Sequence, residues 1–404
     1  MSTSAVGGHI RWGLIGAGVA LIGTCYGFAR FAYGLFAPEF QDSFAITSTM
    51  SGAIGAGSYV GYCGAIVVSS VLTERFGARR LAVSAGVAAT VGTAVVALAS
   101  SSSMLAIGVL IAGSSTGLAS PPMAAAVSRW IRGDAQDRAQ TIVNAGTGIG
   151  VLISGPIALA LLEQWRWAWG VFSVVAGGVT LWIRLTVPPK SSERSGKSAD
   201  TGTSSTMMSS TGSNERAYAP GTALMVLGAF LMGLSSVAVW TFGRDLVTTV
   251  GGVGPLVSTS MWTVLGAAGI VGALGGDLVE RAGLARSWSS VMTVMAAATV
   301  LLALAPGATT AIFAAASVFG ASYIVLTALV LLWSIRLYPE RAAVGVGLGF
   351  LMIAVGQAVG AAVAGILADA TSVTAPFLIC AALGLLGAFV RPTSRRSRVR
   401  PSAC

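Results

Sequence analysis

The chain reads as an all-α membrane protein of twelve transmembrane helices in two parallel six-helix repeats, and three observations predict this. Of its 404 residues, 54 % are hydrophobic and only 9 % charged, whereas a soluble domain carries about a quarter charged residues. Apolar stretches long enough to cross a bilayer core of about 30 Å recur along the chain. Short charged motifs also recur at a nearly constant offset. After the second stretch stands Glu74-Arg75-Phe76-Gly77-Ala78-Arg79-Arg80, and 206 residues on stands Glu280-Arg281-Ala282-Gly283-Leu284-Ala285-Arg286. After the fourth, Trp130 is followed by Asp137-Arg138, and 203 residues on Trp333 is followed by Glu340-Arg341. Two anchors with nearly equal offsets imply a duplicated unit in the same orientation, related by an axis along the membrane normal.

In order, the expected spans of the first half cover 12–37, 46–72, 81–99, 104–127, 141–162 and 167–187, and those of the second 221–243, 255–278, 288–305, 309–335, 342–367 and 373–390. Charges, Gly/Pro turns or Ser runs bound each one: Pro38-Glu39 closes the first, Glu74 follows the second, and the serines 100–103 separate the third from the fourth. The first run is too long for a signal-peptide core and many spans follow it, so it stays as an anchor. Residues 188–219, rich in Ser, Thr, Gly and charge, cannot bury enough apolar surface to fold alone and read as a flexible cytoplasmic linker. The chain therefore divides into an amino-terminal bundle 1–187, the linker 188–219, a carboxy-terminal bundle 220–391 and a basic tail 392–404.

Short loops rich in Lys and Arg stay in the cytoplasm. Of the 24 Lys and Arg, all but Arg30, Arg166 and Arg244 lie at the termini or in alternate loops. Both termini are expected in the cytoplasm and the protein in the cytoplasmic membrane. The other loops carry Glu39, Asp42, Glu163, Asp245 and Asp369, or no charge. The net charge of +10 is spread over loops rather than gathered on one face, which argues against nucleic acid as a partner. The basic tail reads as a topology and anionic-lipid feature.

Arg30 is the residue that the first span must accommodate. Between Trp12 and Pro38 it is the one ionisable side chain apart from Tyr and Cys, and an arginine at membrane depth costs about 3 kcal/mol on insertion scales. At helical spacing Tyr26, Arg30 and Tyr33 share a face, with Gly27 and Gly34 allowing a helix or a ligand to approach. Two readings follow: a binding surface for an anionic group, or an arginine that snorkels to the exoplasmic interface. Other polar or aromatic residues inside spans are Tyr59, Tyr62, Ser114, Thr116 and a break at Pro121-Pro122, then Asn144 and Thr147, then Ser236, Trp240, Tyr323, Thr327 and Gln357. With Arg30, Tyr26 and Tyr33, the substrate-binding candidates are Tyr59, Asn144, Trp240, Tyr323 and Gln357. Each aromatic also has a packing or interfacial alternative. Arg244-Asp245, near the exoplasmic end of span 7, reads as a solvated pair or an outer gate.

The charged turns supply the gating candidates Glu74, Arg75, Gly77, Arg79 and Arg80, their mates Glu280, Arg281 and Gly283, and the pairs Asp137-Arg138 and Glu340-Arg341. The glycines permit tight turns, the acids can cap a helix and the arginines can pair with carboxylates or lipid phosphates. At these residues the chain resembles the major facilitator superfamily, whose loop between helices two and three reads Gly-x-x-x-Asp-Arg-x-Gly-Arg-Arg. Here Ser70 stands for Gly and Glu74 for Asp, with Arg75, Gly77, Arg79 and Arg80 following. The stretch Gly27-x-x-Arg30-Phe31-x-Tyr33-Gly34 is also similar to a bacterial branch near the cyanate-permease-like transporters. Gly146-x-Gly148-x-Gly150 and Gly155-Pro156 resemble the glycine-rich stretch of antiporters in the superfamily, without its trailing glycines. Small residues at such spacings also serve close helix packing.

The resemblance implies a monomeric secondary transporter whose halves rock about a central cavity. Its partners would be a small-molecule substrate, the lipid bilayer and a coupling proton or ion. The expected solute is a small organic or anionic one, with export of apolar or amphipathic compounds as the alternative. No span carries a carboxylate near its middle, so a dedicated proton relay is not visible, although Glu39, Glu163, Asp245 and Asp369 can titrate towards the exoplasmic ends. Cys25, Cys63, Cys380 and Cys404 have neither disulfide nor metal-ligand spacing. There is no phosphate-binding Gly-x-x-x-x-Gly-Lys-Ser loop, and no cofactor is expected. An enzyme would need a clustered nucleophile, base or metal site, and a non-transporting sensor would need a folded signalling domain.

Overall fold

The computed structural model describes residues 3–131, 135–161, 164–189, 219–271, 275–338 and 342–392. The linker over 190–218, the tail beyond 392 and the pair Glu340-Arg341 lie outside these residues, as do the side chains of Asp137 and Glu280.

Ten described helices are long and apolar enough to cross a membrane. They are span 1 (Trp12–Leu35), span 2 (Ser48–Phe76), span 3 (Ala78–Ala97), span 4 (Ser102–Trp130), span 5 (Arg138–Ala160) and span 6 (Trp165–Thr186), then span 7 (Thr222–Val250), span 9 (Leu284–Leu304), span 10 (Thr309–Leu337) and span 11 (Val344–Ala370). Two shorter apolar helices, span 8 (Pro255–Ile270) and span 12 (Ala375–Phe389), complete the expected twelve. Large apolar side chains such as Val71, Val174, Leu185 and Phe389 are exposed. In a soluble protein such surface would be a liability, but here it faces lipid. The chain is a multi-pass membrane protein.

The two halves use the same packing plan. In the first, span 1 packs on spans 5 and 6, span 4 on spans 2 and 3, and span 3 on span 6; in the second, span 7 packs on spans 11 and 12, span 10 on spans 8 and 9, and span 9 on span 12. The halves meet along two seams, span 2 against span 11 and span 5 against span 8, and the duplication carries each seam onto the other. Backbones approach closely there because the side chains are absent. A Cβ added at Gly52 would lie 2.4 Å from the Ala361 carbonyl, and one at Gly266 would lie 2.3 Å from the Leu152 nitrogen. The glycines of span 5 therefore serve packing: Gly146 and Gly150 lie against span 1, Gly148 and Gly155 against span 8.

One expected interruption does not occur. Span 4 runs as a continuous helix through Pro121 and Pro122, each of which removes a backbone donor. One of the carbonyls they leave, that of Leu118, accepts from the Ser69 hydroxyl of span 2 at 3.3 Å, so a neighbouring helix supplies part of what the prolines withdraw.

The duplicated motif is a duplicated turn. Gly77 ends span 2 at φ 85° and ψ 154°, and Gly283 holds φ 77° and ψ 153° after the helix Gly275–Ala282. Side chains do not adopt this region, so a non-glycine residue there costs about 1–3 kcal/mol. Gly77→Val and Gly283→Val should each lower the Tm of the purified protein. Gly64→Val, where an added Cβ meets nothing within 4 Å, should leave it unchanged, and equal effects at all three sites would contradict the assignment.

Candidate functional site

Span 1 changes its winding where Arg30 sits. Gly23–Phe31 is a π-helix, with hydrogen bonds closed one residue further back than in an α-helix, a feature that recurs at functional sites. Glycines make room for the wide turn against span 5, since a Cβ at Gly27 would lie 2.2 Å from the Gly150 backbone. The altered angular step separates the three residues expected on one face. Tyr26 and Arg30 turn to the centre of the molecule, whereas Tyr33 turns to span 2 and its hydroxyl donates to the Ser51 carbonyl at 2.7 Å.

Arg30 is only 5 % exposed, so it does not snorkel. Its guanidinium carbon lies 4.6 Å from the ring centre of Tyr62, 4.7 Å from Tyr59, 5.2 Å from Phe31 and 5.6 Å from Tyr26, all within reach of cation–π attraction. Nη2 donates to Gln357 Oε1 at 2.6 Å, a bond from the first half to the second. Nε has no partner, and no described carboxylate forms an ion pair with this arginine. Aromatic faces and one amide oxygen stabilise the cation without neutralising it. A buried charge left uncompensated costs several kcal/mol, roughly, and a negative group placed here would remove that cost.

The guanidinium opens onto a small cavity between the halves. Tyr26, Tyr62, Asn144 and Thr147 line it from the first half, and Tyr323, Thr327 and Gln357 from the second. Spans 10 and 11 add an apolar wall of Ile324, Phe350, Ile353 and Ala354. Gln357 is fixed by its own amide: Nε2 donates to the Tyr323 hydroxyl at 3.2 Å and to Ser236 Oγ at 3.4 Å, which leaves Oε1 facing Arg30. The Tyr26 hydroxyl is held by Ser120 at 2.9 Å.

The structure thus brings Arg30, Tyr26, Asn144, Tyr323 and Gln357 around one cavity. Tyr59 backs the guanidinium without lining the cavity, and Trp240 stacks on Phe31 with ring centres 4.0 Å apart. Tyr33 belongs to the span 1–span 2 contact. Neither Phe31 nor the apolar wall is among the binding candidates of the sequence, because an apolar residue in an apolar span carries no binding signal.

At the end of the bundle opposite the chain termini, polar contacts join the halves. Arg244 Nη1 pairs with Glu39 Oε2 at 2.5 Å and also donates to the Leu35 carbonyl. Arg244 and Asp245 are 3 % and 1 % exposed, so they are not a solvated pair. Unlike Arg30, this buried cation has a carboxylate, and it lies across the interface. Asp369, at the end of span 11, accepts the backbone N–H groups of Ser48 at 3.0 Å and Thr49 at 2.7 Å. These open span 2, where a helix favours a carboxylate. Gly34 packs against the Trp240 carbonyl at the same end. At the other end Gly77 and Gly283 form the matched turns, and Arg75 lies over the Phe76 ring at 5.6 Å. Glu74, Arg80, Arg138 and Arg281 are exposed there and Arg79 is half-buried.

A model of the Major Facilitator Superfamily matches residues 19–354. The chain belongs to that superfamily. Among curated proteins, this superfamily member is 26 % identical over 397 residues to the transcription regulatory protein OpdE of Pseudomonas aeruginosa, covering 95 % of this chain and 94 % of that one. Among solved structures it is similar to the nucleoside transporter NupG, with a TM-score of 0.70 at 12 % identity over 94 % of this chain and 98 % of that one. It is also similar to a POT family transporter in complex with 5-aminolevulinic acid, with a TM-score of 0.73 at 12 % identity and 94 % coverage of both. At that identity the two structures speak for the fold alone. These matches place the chain in the superfamily and not in any one branch of it, the cyanate-permease-like branch included.

Proposed function

We propose that this chain is a secondary transporter, not an enzyme, that moves a small organic anion across the cytoplasmic membrane by alternating access. The observation that carries the reading is Arg30, a buried cation with no carboxylate partner among the described residues, facing a cavity between two halves of the same plan. Rocking of the halves about the seams would expose that cavity to each side in turn. The Arg244–Glu39 and Asp369–span 2 contacts then act as the outer gate, and the turns at Gly77 and Gly283 as the inner hinges. Proteoliposome uptake, screened against solute charge with and without a pH gradient, tests the reading. Saturable uptake of an organic anion supports it, and uptake restricted to neutral or cationic solutes overturns it.

The loop charges support an orientation with both termini in the cytoplasm. On a background without native cysteines, Ser102→Cys should react with an impermeant maleimide in intact cells and Ser204→Cys should not. Labelling at residue 204 would invert the orientation.

Two observations favour other readings. The apolar wall and the Gly155-Pro156 pair suit an exporter of amphipathic compounds, which the same screen would reveal as transport insensitive to solute charge. The description of OpdE suits a solute sensor, for which binding without flux is the expected result.

A further inference from the structure

We propose that the cavity selects organic anions of a single negative charge, small monocarboxylates above all, and that Gln357 holds the place of one carboxylate oxygen on Arg30 until such an anion displaces it. The proposal rests on the transporter reading and deepens it.

The charge count comes first. Arg30 is the one charged side chain among the described residues lining the cavity; the rest of that lining is phenol, amide, hydroxyl or hydrocarbon. A monoanion brings the buried site to neutrality. A dianion leaves one negative charge uncompensated away from water, and a zwitterion leaves its ammonium without a carboxylate among the lining residues. The lining is also uneven. Beside Arg30 stand polar groups from both halves, while Ile324, Phe350, Ile353 and Ala354 offer nothing to a second charged end. One charged head and one short apolar body fit that division.

Gln357 supplies the second observation. Its Oε1 sits 2.6 Å from Arg30 Nη2, in the place of a carboxylate oxygen, while Arg30 Nε, on the same planar fork, has no partner. A carboxylate can take two donors of that fork together, as a single amide oxygen does not. The amide side of Gln357 is held by Tyr323 and Ser236. Both are hydroxyls that can turn and donate instead, so the position would also satisfy a carboxylate. An arriving monocarboxylate would therefore replace a neutral oxygen by a charged one and release the bond that joins span 1 to span 11.

The test uses the purified full-length protein. Thermal-shift titrations compare butyrate with succinate, benzoate with phthalate, and butyramide as the neutral control, on wild type, Arg30→Gln and Gln357→Glu. The monocarboxylates should stabilise wild type at concentrations at least about tenfold lower than their dicarboxylate mates, with butyramide inactive. Gln357→Glu keeps the side-chain volume and gives Arg30 an internal counter-ion. Its Tm should stay at or above that of wild type while monocarboxylate binding weakens by about 100-fold or more. Binding of dicarboxylates as strong as that of monocarboxylates, lost in Arg30→Gln, overturns this inference and leaves the transporter of anions standing. Undiminished monocarboxylate binding in a folded Gln357→Glu overturns the role of Gln357. Binding of no anion of either charge overturns the inference and the anion reading together.

Discussion

Arg244→Ala should open the end of the bundle that Arg244 now closes. The substitution leaves a partly buried Glu39 without its cation and the Leu35 carbonyl without this donor, a loss at the lower end of the about 3–5 kcal/mol that breaking a buried pair costs. Because the pair joins the two halves, that cost falls on the conformation in which this end is shut. The balance between conformations should shift by about 100-fold or more. Glu39→Gln should act in the same direction but more weakly, since Arg244 keeps the Leu35 carbonyl and Ser258 Oγ. In the double variant the effects should not add, as expected of two ends of one interaction. Spin labels at Asp42 and Val250, both exposed and on opposite halves, read the opening as a distance. A longer distance population in Arg244→Ala is the expected outcome. An unchanged distribution in a protein of unchanged Tm would show that the pair does not hold this end closed.

The fold was legible because a bilayer forces it to be. Only helices and closed barrels satisfy their backbones in lipid, so apolar length and loop charge were enough to place the spans. The 206-residue offset between Glu74 and Glu280 then implied two equivalent halves. Arg30 was legible for the same reason, since a charge within an apolar span needs an account. Its surroundings were not. The π-helical winding of Gly23–Phe31 moves Tyr33 off the face that an α-helical spacing assigns it, and no residue pattern announces that change. The partner of Arg244 was not legible: the sequence sets it beside Asp245 as a solvated pair or an outer gate, whereas in the folded chain it is buried and pairs with Glu39 of the other half. Asp369 illustrates the remaining difficulty, because its partners are the backbone N–H groups of Ser48 and Thr49, which every residue but proline possesses.

Arg30→Gln carries the other large effect. The variant removes a buried charge that lacks an ion-pair partner among the described residues, so its Tm should equal or exceed that of wild type. The same change removes the cation on which an anionic solute would bind. Losing a charged hydrogen-bonded contact of that kind is worth about 2–5 kcal/mol, so affinity should fall by about 30-fold or more. Arg30→Lys keeps the charge without the planar fork and should fall between the two. The most direct measurement is equilibrium binding of one labelled organic anion, taken from those that wild-type proteoliposomes accumulate, to purified wild type and Arg30→Gln. The account predicts saturable binding to wild type and at least about 30-fold weaker binding to a variant that melts no lower; equal affinity in the two proteins would contradict it.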